Sequence, residues 1–136
     1  MIAVDTSVWI DFFRGRDDVL GVHLENLLDA DQVAMPAPVR IEILGGARKS
    51  ELSRLRRVMD ALPLLLPSPS AWSLIEGWIE RAAGAGQCFG VGDLLVAAIA
   101  AENRASVWSL DGDFKRMAEL GWITVHRPAV DPAKRR

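Results

Sequence analysis

The chain has 136 residues, half of them apolar and a quarter charged, with a net charge of −2. That length suits one domain with a proper core, and the composition excludes disordered and collagen-like chains. The longest unbroken apolar run, Leu94 to Ala101, is eight residues against the roughly 20 that span a bilayer, and Asp5 interrupts any signal-like apolar start. No membrane insertion or export is therefore expected. A single cysteine, Cys88, leaves no internal disulfide and too few thiolates for a cysteine zinc site, which points to a reducing cytoplasm.

Ile2 to Val4 is too short for a helix and predicts a buried strand. Asp5-Thr6-Ser7 then suits a helix N-terminus, with a helix over Val8 to Phe13 closed by Gly15. A second helix is expected from about Asp17 to Asp29, where Leu20, Leu24, Leu27 and Leu28 keep helical spacing. Val33-Ala34-Met35 is another short strand, and Val39 to Ala47 has helical character, ended or bent by Gly45-Gly46. Ser50 to Leu62 reads as a helix with Ser50 at its cap, and Leu64 to Leu66 as a third strand. Ser70 is placed at the cap of a helix to about Ala83, broken by Gly84-Ala85-Gly86. Gly92 to Asn103 is apolar nearly all round and must lie inside the protein. Ser106 to Ser109 is a fourth strand, Asp111 to Leu120 a closing helix, and Ile123 to Val125 a fifth short strand.

Strands alternating with helices through short connections predict an α/β domain: a central parallel sheet of four to five strands flanked by about seven helices. The domain is placed at residues 1–127, with a polar, basic tail over 128–136 that ends in Lys134, Arg135 and Arg136.

In open parallel sheets ligands bind beyond the carboxyl ends of the strands, where loops and helix N-termini gather. Asp5 follows the first strand; Ser109, Asp111 and Asp113 follow the fourth. Asp93 stands at the entrance to the buried helix, and Glu42 lies in the helix after the second strand. Singly, each aspartate also reads as a helix cap. Glu42, enclosed by Ile41, Ile43 and Leu44, does not look like part of a plain solvated face. Together, several carboxylates on one rim repel one another unless a cation neutralises them. An all-oxygen donor set favours a hard ion, Mg²⁺ or Mn²⁺, and such an ion accepts phosphate oxygens.

Four segments carry a resemblance. These are Asp5-Thr6-Ser7 after a strand, Glu42 in Val39 to Ile43, Gly92-Asp93-Leu94 and onward, and Val107 to Phe114 with Asp111 and Asp113. In order and spacing they resemble the acidic motifs of PIN-domain ribonucleases, and among these the VapC toxins of type II toxin–antitoxin pairs. The resemblance runs from residue 1 to about 127. It implies a PIN-like fold and a catalytic quartet of Asp5, Glu42, Asp93 and Asp111. It further implies Asp5, Asp93, Asp111 and Asp113 around a metal, and supporting hydroxyls at Thr6, Ser7 and Ser109. Ser109 stands where threonine is commoner. The implied activity is hydrolysis of RNA, transfer or ribosomal RNA in family members, and the implied partners are a cognate antitoxin and a second copy of the chain.

RNA needs positive charge around an acidic cleft. Arg14 and Arg16, after the first helix, are the candidates, while Arg54 to Arg57 read first as a solvated helix face. The tryptophans read mainly as core. His23, His126 and Cys88 show no pattern that suggests catalysis. Two other enzymatic readings lack specific residues. A phosphoacceptor receiver domain needs paired acids after the first strand, and a haloacid-dehalogenase-type phosphatase needs an acid where Ser7 stands. A non-catalytic binding module remains the alternative; response to metal separates it from a nuclease.

Overall fold

Strands buried on both faces have no need to alternate, so each is a short continuous apolar run. In the computed structural model, which describes residues 1–128, these are β1 (Ile2–Val4), β2 (Val33–Pro36), β3 (Leu64–Leu65) and β4 (Ser106–Trp108). All pair in parallel in the order β3-β2-β1-β4. Ala3 sits opposite Ala34 on one side and Val107 on the other. The fifth strand expected at Ile123 to Val125 is reduced to a single parallel bridge, Val107 to Val125, on the outer edge of β4. The tail expected at 128–136 lies, after Pro128, outside the described residues.

Among the described residues seven helices surround the strands: α1 (Thr6–Arg14), α2 (Asp18–Asp29), α3 (Ala37–Gly46), α4 (Leu52–Asp60), α5 (Pro69–Gly84), α6 (Val91–Glu102) and α7 (Gly112–Glu119). Gly15 ends α1 in the left-handed region at φ 61°, a conformation glycine adopts without steric cost. The largely apolar α6 buries Leu94 and everything from Val96 to Ala100. It crosses β1, β2 and β4 and packs on α3, α5 and α7, which makes it the central beam of the core. Trp9, Trp78, Trp108 and Trp122 are buried, and Trp72 is exposed.

Two expected caps are displaced. Ser50 falls within a 3₁₀ turn over Lys49–Glu51, and α4 begins only at Leu52, because the Glu51 carboxylate accepts the Arg48 backbone N–H at 3.2 Å and closes that turn first. Ser70 lies inside α5, which starts at Pro69. Its hydroxyl and that of Ser68 both turn to Glu102 at the end of α6. The Ser68 backbone N–H also donates to Glu102, at 3.2 Å, so the start of α5 is tied to the end of α6.

The chain builds β1, β2 and β3 outward in one direction and then returns to place β4 on the other side of β1. The strand order therefore reverses between β1 and β4. Their carboxyl ends flank the crevice where such sheets bind ligands.

Candidate metal centre and active site

Asp5 follows β1 and caps α1, with the Ser7 backbone N–H donating to its Oδ2 at 3.5 Å. Two hydroxyls close on the same oxygen, Ser7 Oγ at 2.9 Å and Ser109 Oγ at 2.8 Å. Ser109 follows β4, so these bonds tie the two strand ends together across the crevice. Ser7 Oγ accepts the Leu110 N–H at 3.0 Å, and Ser109 Oγ accepts the Asp111 N–H at 2.9 Å. The hydroxyls thus orient both loops. Asp5 is 5% exposed and all these bonds fall on Oδ2.

Asp111 caps α7 through the Asp113 N–H, which donates to Oδ1 at 2.9 Å. Asp113 sits in the first turn of α7. Asp93 sits in the first turn of α6, whose cap is Gly90 rather than Asp93. The ligand oxygens of Asp93, Asp111 and Asp113 lie within 4.8 Å of one another. Capping and site formation are thus compatible uses of one carboxylate, since a cap engages one oxygen and leaves its twin.

The electrostatics show what this convergence costs. Partial burial, then the charges of Asp5, Asp111 and Asp113, push the Asp93 carboxyl up to about 7. Glu42 stands on α3, its Oε1 3.8 Å from the point where Gly92 would carry a Cβ, and so beside Asp93 in the chain. Its carboxyl is also raised, by partial burial first and by the charge of Asp5 second. The buried Thr6 hydroxyl makes no hydrogen bond of good geometry among the described residues, yet lies close enough to Glu42 to favour its charged form. Asp5 and Glu42 belong to the same electrostatic cluster but lie outside the tight group of three. Stacked negative charge of this kind, with oxygen donors only, fits a hard divalent cation.

A family model described as PIN domain matches residues 2–120. The chain belongs to the PIN-domain family. Ribonuclease VapC11 of Mycobacterium tuberculosis is 33% identical over 125 residues, 88% of this chain and 93% of the relative, which places this PIN domain in the VapC group. Ribonuclease VapC19 of the same organism is 29% identical over 84 residues, 62% of this chain and 61% of the relative. VapBC2 from Rickettsia felis, solved bound to a promoter DNA fragment, matches with a TM-score of 0.77 at 21% identity, over 93% of this chain and 98% of that one. VapC20 of M. tuberculosis, described as a sarcin-ricin loop cleaving toxin, matches with a TM-score of 0.67 at 18% identity, over 94% and 100%. Those two likenesses bear on the fold. Receiver and phosphatase readings are thereby set aside.

Not every expected site residue of the PIN domain joins the cluster. The helix that starts at Asp5 runs away from the rim. Arg14 ends it nine residues on, about 13 Å along the axis, with Arg16 beyond. Arg116 was not anticipated. Its guanidinium pairs with Asp113 and lies 4.9 Å from the centre of the Phe89 ring. The i, i+3 spacing to Asp113 was visible in the sequence; the contact with Phe89, 27 positions away, was not. Among the described residues no helix is long and apolar enough to cross a membrane.

Proposed function

We propose that this PIN domain is a metal-dependent ribonuclease that hydrolyses RNA phosphodiesters as the toxin of a toxin–antitoxin pair. The observation that carries the reading is the convergence of Asp93, Asp111 and Asp113 at the carboxyl rim, where the charge of Asp5 also bears on Asp93. The names of the curated relatives, both ribonucleases, support it.

Asp93, Asp111 and Asp113, together with the free oxygen of Asp5, would hold Mg²⁺ or Mn²⁺. A bound ion of this kind lowers the pKa of a water and offsets charge that develops on phosphoryl oxygens. The protein's own groups do the rest. Ser7 and Ser109 fix the Asp5 carboxylate and, through Leu110 and Asp111, the loop after β4. Glu42, whose carboxyl is raised by partial burial and by the charge of Asp5, would steer the attacking water or take its proton. Raising that carboxyl brings its basicity closer to what proton abstraction near neutral pH requires.

An antitoxin and a second copy of the chain are the protein partners this reading implies. Exposed apolar groups offer them surface: Leu66 beyond the β3 edge, and Trp72 and Ile79 about two turns apart on α5. Transfer and ribosomal RNA are the substrates to test first, and the cytoplasm is the expected location.

The deciding experiment titrates Mg²⁺ or Mn²⁺ while following thermal stability and RNA cleavage together. A nuclease shows both responses, and Asp5→Asn and Asp93→Asn abolish cleavage in a protein that still folds. A folded chain that shows neither response is a binding module.

A further inference from the structure

RNA approaching this rim meets carboxylates first, so some cation close to the cluster must receive its backbone. Arg14 and Arg16 sit at the far end of α1. Among the described residues, Arg116 is the one cation paired with a carboxylate of the three-acid group, through Asp113.

That guanidinium is held from a second side as well. It lies over Phe89, 4.9 Å from the ring centre, and Phe89 is itself 9% exposed. Trp122 supports Phe89 edge to face at 5.5 Å, and Trp78 is stacked on Trp122 at 4.9 Å with ring planes 2° apart. The support under Arg116 is therefore a built aromatic shelf that joins α5, the segment before α6 and the segment after α7. An ordinary i, i+3 surface pair needs no such platform.

The two contacts respond differently to a divalent ion. An ion among Asp93, Asp111 and Asp113 draws on the Asp113 carboxylate and repels the guanidinium, whereas attraction to a neutral ring persists. Loosened from Asp113, Arg116 stays on the shelf with its forked N–H donors free. That fork matches two oxygens of one phosphate, which a lysine ammonium does not.

We propose that Arg116 is a substrate-positioning residue, parked on Asp113 in the ion-free protein and freed by the divalent ion to grip a phosphate of the bound RNA strand. The inference rests on the ribonuclease reading. It adds a coupling in which the ion both completes the site and unmasks the cation that receives substrate.

The test compares wild type, Arg116→Gln and Arg116→Lys for binding of a short fluorescent single-stranded RNA by anisotropy, with Ca²⁺ and with EDTA, over a series of salt concentrations. Melting curves with Ca²⁺ run alongside. With Ca²⁺, Arg116→Gln should bind about tenfold more weakly than wild type. Its salt slope should be shallower by about 0.7, the contribution of one phosphate contact on a single strand. Arg116→Lys should keep most of the slope and lose most of the affinity. In EDTA the three proteins should bind alike, since Arg116 is then occupied. The Ca²⁺ midpoint for thermal stabilisation should fall in Arg116→Gln, because a competitor for Asp113 is gone. Equal RNA affinity for wild type and Arg116→Gln with Ca²⁺ present overturns the proposal, as does a Ca²⁺ midpoint that rises. If Ca²⁺ leaves the melting temperature of wild type unmoved, the acidic cluster holds no hard ion. The metal-dependent reading then fails first and takes this inference with it.

Discussion

His23 of α2 and His126 beyond α7 aim their Nε2 atoms at each other across 2.9 Å. Their ring planes lie within 9° and their centroids are 5.2 Å apart. The centroid gap exceeds the nitrogen gap by about two ring radii, so the imidazoles meet end to end in one plane. Both stand edge-on to Trp108, at 5.0 and 5.8 Å. An end-to-end contact needs one N–H and one lone pair, and two imidazolium rings would set N–H against N–H.

This pairing fixes the sign of a pH effect. Burial holds both imidazoles below their ordinary 6.5, and the charge of His23 lowers His126 further. Between the folded values and 6.5 the unfolded chain binds more protons, so stability rises with pH through that window and is lost as pH falls below 6.5. Melting temperatures taken from about pH 8 to about pH 5 should drop for wild type and drop less for His126→Phe. Parallel curves for the two proteins would refute the assignment.

Asp93 works in the opposite direction. Without an ion its carboxyl lies near 7, above the 3.8 of an unstrained aspartate, so the folded state binds the extra proton. Stability from this group is present at low pH and fades as pH climbs from 3.8 through about 7. In EDTA above neutral pH, Asp93→Asn should therefore melt a few degrees higher than wild type, and the gain should shrink on acidification. With Mg²⁺ the order reverses, because wild type binds the ion with release of a proton and with affinity that increases through about pH 7. A variant that melts lower than wild type in EDTA above neutral pH would show that the carboxylates do not strain one another.

The placement of Asp5 and Asp111 at one rim was legible because a parallel sheet sends what directly follows each strand to its carboxyl edge, whereas Glu42 and Asp93 lie on α3 and α6 and come near that rim through helix packing. The alternation of short apolar runs with helical periods carried the fold. What the sequence concealed is contact between distant segments. The two histidines meet 103 positions apart, and Glu102 accepts the N–H of Ser68, 34 residues upstream of it. Arg14 and Arg16, which follow the first helix, were expected near the rim. The helix instead starts directly after Asp5 and carries both cations away from it. Arg116 had its acid partner in plain view, but its aromatic shelf exists only once α5, α6 and α7 have packed.

That shelf also bears load. Trp122 is 8% exposed and Trp78 3%, and their stacked rings fill the junction of α5 with the segment after α7. Trp122→Ala should cost about 3–5 kcal/mol in urea unfolding, the usual range for removal of a large buried aromatic. It should also weaken RNA binding by loosening Phe89 beneath Arg116, while Trp122→Phe should retain most of both. A Trp122→Ala protein as stable as wild type would mean that the tryptophan pair is peripheral to the core.

Ser109 provides the most selective probe of the candidate site. Its hydroxyl donates to Asp5 Oδ2 at 2.8 Å and accepts the Asp111 N–H at 2.9 Å, so one atom sets the orientation of acids on both sides of the crevice. Ser109→Ala removes that atom and leaves Asp5 with Ser7 alone as a hydroxyl donor. Groups that orient metal ligands without touching the metal typically contribute about 10–100-fold in affinity or activity, and a loss of that size in the Mn²⁺ midpoint or in RNA cleavage is expected. Ser109→Thr keeps the oxygen in place and should stay near wild type. Because Ser109 is only partly buried, the melting temperature of Ser109→Ala without metal should move little, which separates ligand orientation from folding. A Ser109→Ala enzyme with unaltered Mn²⁺ midpoint and cleavage rate would show that Asp5 is positioned by its helix cap and Ser7 alone.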